Sequence, residues 1–175
     1  MRPAGYVARL VASGCALVGA ALLLAHLGVA SLGARLPSIV NWTLLGCLGL
    51  QAIFGLMALP RRRDNAGQVP RIANWTYSLA RWAVLPVLLF CVYHPVGAST
   101  MGLGDHLRLA VFDAPGLAAY GAGLLAVALY VGRGVFGATL DLGLLSRAAA
   151  ARGALVLSAL IVGLGGAALA RGAHG

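Results

Sequence analysis

The sequence predicts an all-α integral membrane bundle of five transmembrane helices. Three observations point there: five long apolar stretches, a mean hydropathy of +0.91, and only 10% charged residues against 61% hydrophobic. An ordinary soluble domain is about one quarter charged, so this composition is too apolar for a water-facing fold of 175 residues. A spanning helix needs about 20 residues to cross about 30 Å of hydrocarbon. Such stretches lie near residues 7–30, 38–59, 76–98, 115–137 and 150–170. Only short connections remain, so residues 1–175 are read as a single transmembrane domain with no room for a water-soluble catalytic domain.

The first stretch follows Arg9 and runs to the small residues Ala30-Ser31 and Gly33-Ala34. It imitates a secretory signal peptide, but is read as a retained helix because cleavage there would discard His26. Pro37 precedes the second stretch, which opens on Asn41-Trp42-Thr43, and the third opens on the same triplet at Asn74-Trp75-Thr76. In both copies Asn is read as a helix cap and Trp as an interfacial anchor. Breakers mark the loops: the stretch Pro60 to Pro70, Pro95 with Gly97 to Gly104, then Pro115 at the fourth span and Ser146-Arg147 before the fifth. Glycines in the last two spans (Gly121, Gly123, Gly132, Gly134, Gly163, Gly165, Gly166) suit close helix packing in lipid, or equally the clearance a flat cofactor needs. No long repeat supports an inverted-repeat transporter.

Thirteen arginines, no lysine and four acidic residues give a net charge of +9 and a pI near 10.8. Nucleic-acid binding is the first reading such a charge invites, but the positions argue against it. Arg2, Arg9, Arg61, Arg62, Arg63, Arg71, Arg147 and Arg152 fall on one side of a five-span chain, and Arg35, Arg108 and Arg171 on the other with Asp105 and Asp113. The positive-inside rule makes the N-terminus cytoplasmic and the C-terminus external. The basic loops then face anionic lipid or an acidic soluble partner. Cys15, Cys47 and Cys91, one per span, have no disulfide or metal spacing and read as small packing residues.

Of four histidines only His26 and His94 lie inside spans. An ionisable side chain at membrane depth is costly and marks function by default; the competing role is a hydrogen bond to a neighbouring helix. His26 lies seventeen residues beyond Arg9, about 25 Å along a helix, and His94 nineteen beyond Trp75, about 28 Å. On parallel spans both imidazoles therefore approach the outer edge of the hydrocarbon. Two such rings suit the axial positions of one haem iron, and filling both favours electron transfer over oxygen chemistry. His106 and His174 read as solvated surface, with Asp105, His106 and Arg108 as the alternative anchor for haem propionates. No nucleophile, base and orienting group occur together, and four aspartates support neither hydrolysis nor a cation path.

Over nearly its whole length the chain resembles the single-polypeptide, five-helix cytochrome b anchor of bacterial succinate dehydrogenases and fumarate reductases. The resemblance rests on Arg9-Leu10 with His26, on Asn65-Ala66-Gly67-Gln68, and on Asn74-Trp75 followed by Arg81 and His94. It continues through Asp113-Ala114-Pro115 and the run Tyr130-Val131-Gly132-Arg133-Gly134-Val135-Phe136. It implies a multi-pass subunit of the bacterial cytoplasmic membrane that binds haem b, serves menaquinone or a related quinone, and docks a flavoprotein and an iron-sulfur subunit. The flavin and clusters belong to those partners. Family members usually carry four ligand histidines; His26 and His94 match the pair that holds the outer haem, while the other pair reads Gln51 and Tyr130 here. Glutamine is a poor haem ligand and tyrosinate serves mainly catalase-type sites, so one haem is expected. Gln51, Tyr130, Arg81 and Trp82 are then the expected vicinity of a quinone on the cytoplasmic side. The alternative from another class is a haem-free structural membrane scaffold in which both histidines are packing residues.

Overall fold

The computed structural model describes residues 3–58, 79 and 82–174. Among these lie six helices: α1 (Pro3–Ser31), α2 (Ser38–Ala58), α3 (Val84–Met101), α4 (Leu103–Phe112), α5 (Ala114–Asp141) and α6 (Arg147–His174). All but α4 are long and apolar enough to cross a membrane. The all-α, five-span class expected from composition is therefore the class observed, and the chain is a multi-pass membrane protein. Arg61, Arg62, Arg63, Arg71, Arg81 and the segments Asn65–Gln68 and Asn74–Thr76 lie outside the described residues.

Helix ends follow from local chemistry. At the end of α1, Gly33 takes φ 78°, and Ala34 N–H returns to the Val29 carbonyl, closing the last turn. Asp113 caps α5, its carboxylate accepting from Gly116 N–H at 3.1 Å, with Pro115 in the first turn where its missing N–H costs nothing. Ser146 Oγ accepts from Ala149 N–H at 3.4 Å at the start of α6.

The third loop is where expectation and structure part. The third span is expected to end near residue 98, with Pro95 and Gly97 to Gly104 marking a loop, yet α3 runs through Pro95 to Met101 and a ten-residue helix, α4, follows. Proline removes one hydrogen bond, to the Cys91 carbonyl. In lipid every remaining backbone group still needs an internal partner, so helix persists on either side. The break comes instead at Gly102, whose φ of 83° makes the elbow between α3 and α4.

In the bundle α5 is central, packing on α1, α3, α4 and α6; α1 also packs on α2 and α6, and α3 on α2 and α4. Val84, Val87, Val131 and Ile161 are fully buried among small residues such as Ala52 and Ala128. Lipid tails offer no hydrophobic drive for helix association, so close packing and interhelical hydrogen bonds hold such a bundle. Ser158 Oγ on α6 donates to the Ala128 carbonyl on α5 at 2.9 Å. Leu89, Val92 and Leu155 point outward, 63–72% exposed, as a lipid-facing surface requires.

Candidate functional site

The end of α1, the start of α2, the second half of α3 and the start of α5 meet at one end of the bundle, and four polar side chains face one another there. The rings of His26 and His94 have centroids 6.5 Å apart and planes at 83°. Asn41 Oδ1, an acceptor only, takes a hydrogen bond from His26 Nδ1–H at 2.9 Å, so the Nε2 lone pair of His26 is free. His94 Nδ1 bonds the Tyr120 hydroxyl at 2.7 Å. With Nδ1–H donating to that oxygen, His94 Nε2 is likewise free. Asn41 was expected to cap α2; the helix starts a turn earlier at Ser38, and the Asn41 side chain serves His26 instead.

His26 and His94, on different helices with ring centroids 6.5 Å apart, are the residues that would hold a haem iron through one imidazole nitrogen each. Helices in direct contact have axes 8–10 Å apart, too near for a macrocycle between them. Here α1 and α3 are not a closely packed pair; each packs instead on α2 and α5. Phe90 stacks on His94 at 5.8 Å and meets Tyr120 edge-on at 5.3 Å, giving the site an apolar wall.

A third imidazole joins them. His106 on α4, expected at the surface, is only 4% exposed. Its ring lies against Gly97 of α3 in space that a Cβ would occupy, 6.1 Å from the His94 centroid, 5.5 Å from Tyr120 and 5.1 Å from Tyr93. Burial pushes its pKa below the ordinary histidine value, which favours the neutral ring. Its Nε2 has no hydrogen-bond partner. Asp105 and Arg108 are exposed, so they do not combine with His106 as one anion anchor. The signal that would have found His106 is the spacing Leu103, His106, Leu107, Ala110, one face of a short helix.

Gln51 and Tyr130 are brought together, 7% and 9% exposed, further along α2 and α5 from Asn41 and Tyr120. Tyr130 O–H donates to the backbone carbonyl of Gln51. The Tyr130 ring end fills space left by Gly55, and the Gln51 amide fills space left by Gly134. Tyr130 has thus committed its one proton, and Gln51 Oε1 has no partner. Trp82, at 58% exposure, faces outward, and Arg81 lies outside the described residues. Among the described residues no cluster of three or more His, Cys or acidic side chains suits a metal ion.

Comparison with protein-family models, curated proteins and solved structures finds no match.

Proposed function

We propose that the chain is the membrane anchor and electron-transfer subunit of a bacterial succinate:quinone oxidoreductase, holding one haem b between His26 and His94. The observation that carries this reading is the opposed imidazole pair, each ring fixed at Nδ1 by a neighbouring helix and free at Nε2. A haem held by His26 and His94 would supply one-electron transfer. The chain's own residues orient the ligands: Asn41 fixes the His26 tautomer, Asn41 and Tyr120 hold the two rings at Nδ1, and Phe90 lines the site with an apolar face. The remaining parts rest on the sequence resemblance: a flavoprotein, an iron-sulfur subunit, a quinone of the menaquinone type, and the bacterial cytoplasmic membrane with the N-terminus inside.

The deciding experiment is a reduced-minus-oxidised spectrum with haem quantified against purified protein. One low-spin b-type haem per chain is expected. A chain that inserts and assembles without haem would instead be the structural scaffold.

Two further results are expected. Asn41→Leu removes the acceptor that fixes His26, and outer-sphere partners of this kind are worth about 10–100-fold in metal affinity. Haem titration of the variant should show a loss in that range with helix content unchanged, whereas wild-type affinity would mean that Asn41 does not orient His26. Replacing Arg61, Arg62 and Arg63 together by Glu should release the iron-sulfur partner at lower salt than wild type, because a basic loop docks an acidic surface through screened charges. Equal retention across a salt series would assign the run to lipid headgroups.

A further inference from the structure

Cys15 on α1 and Cys47 on α2 were expected as separate packing residues, one per span. In the structure their thiols share a hydrogen bond, one S–H donating to the other sulfur. The approach is set by Gly19, one turn along α1 from Cys15, where a Cβ would come within 3.2 Å of the Cys47 Cβ. A side chain there would hold α2 away, and glycine lets the two helices close. Both cysteines lie inside apolar spans, Cys15 in Leu10–Ser31 and Cys47 in Ser38–Met57. Counted from the first residue of each span, they sit about 8 Å and about 14 Å into the hydrocarbon. Both are free and only half-buried, so molecules dissolved in the bilayer reach them.

Two adjacent thiols can bind a soft metal ion or lose two hydrogens to become a disulfide. The hydrocarbon decides between them. A monovalent ion such as Cu(I) on two thiolates leaves a net negative charge, which an apolar medium disfavours, whereas a disulfide is neutral. The same solvent excludes charged oxidants of the aqueous phase and admits uncharged, lipid-soluble ones. We propose that Cys15 and Cys47 form an intramembrane dithiol that lipid-soluble hydroperoxides oxidise to a disulfide. In the first step one cysteine sulfur attacks the terminal peroxide oxygen. The O–O bond breaks, the alcohol leaves with the thiol proton, and a sulfenic acid remains. The second sulfur attacks the sulfenic sulfur, the S–O bond breaks, and water leaves with the second thiol proton. The dithiol thus gives up two electrons and the hydroperoxide takes them. The new bond ties α2 to the face of α1 that also carries His26, eleven residues or about three turns further on. None of this rests on the electron-transfer reading, since the thiols and the surrounding lipid are the same with or without haem.

The test uses the full-length chain, reduced, placed in phosphatidylcholine nanodiscs and treated with cumene hydroperoxide, then denatured and alkylated with N-ethylmaleimide. Intact mass should show that two of the three thiols escape alkylation. Peptide mapping should give a link between Cys15 and Cys47 that dithiothreitol reverses, while Cys91 remains alkylated. The linked chain should also melt at a higher temperature than the reduced one, because α1 and α2 can no longer part. Cys47→Ser, close in size, should give neither link nor rise in melting temperature, with dimedone now trapping a sulfenic acid at Cys15. Cys15→Ser repeats the comparison from the other helix, and the wild-type result stands whether or not either variant folds. A wild-type chain that keeps all three thiols alkylatable, or oxidises Cys91 as fast as the other two, would overturn the proposal. Links that join Cys91 to either partner would overturn it as well.

Discussion

If His26 and His94 hold the proposed haem, replacing either by alanine should abolish the low-spin haem b spectrum while the chain remains inserted and helical. Each substitution removes one of the two proposed ligand nitrogens, and α1 carries no second histidine to take the place of His26. His106 lies 6.1 Å from His94, but its helix packs directly on α3 with the ring against Gly97, so no space for a macrocycle lies between those two rings. The paired controls are Gln51→Leu and Tyr130→Phe. Tyr130→Phe gives up the hydrogen bond to the Gln51 carbonyl, about 1 kcal/mol of stability, and both variants should keep the haem spectrum. Difference spectra and haem-to-protein ratios decide the matter. A wild-type ratio of two, or a haem spectrum that survives His94→Ala, would sink the assignment.

Gly123→Leu should be among the most damaging single substitutions in the bundle. A Cβ at this buried position of α5 would fall among the ring atoms of Phe90 on α3. Phe90 cannot retreat freely, because it stacks on His94 with planes 15° apart and meets Tyr120 edge-on. Overpacking of this kind costs about 1–3 kcal/mol, and here the strain passes directly to the His94 imidazole. Both the thermal midpoint in detergent and the haem content should fall. Gly121→Leu is the matched control on the same helix, since a Cβ there meets nothing within 4 Å. Equal midpoint shifts in the two variants would show that glycine in α5 matters for helix propensity alone and not for the approach of Phe90.

The five-span class was legible because lipid is a uniform solvent: whether a stretch can cross depends on its own length and polarity, which a sequence states directly. The same reasoning marked His26 and His94, since an ionisable side chain in hydrocarbon is conspicuous without any structure. Their matched depth also followed from rise per residue alone, and the two rings do lie side by side. Helix ends were less legible. Pro95 and Gly104 outweighed the apolar face of Leu103, Leu107 and Ala110, so α4 was missed and His106 was placed in water.

What composition and spacing could not carry is which side chains on different helices meet. Asn41 resembles a cap in sequence, but the rotation of α2 against α1 turns it toward His26. Nothing near Tyr120 in the chain announces His94, twenty-six residues away, as its partner. Tyr130 looked available to a ligand, but its hydroxyl reaches across to α2 and donates to the Gln51 carbonyl. By itself, then, the sequence determined the solvent, the number of spans and the two imidazoles at one depth. The Nδ1 partners of those imidazoles and the burial of His106 were decided by helix rotation and register, which arise only when small residues let the helices close on one another.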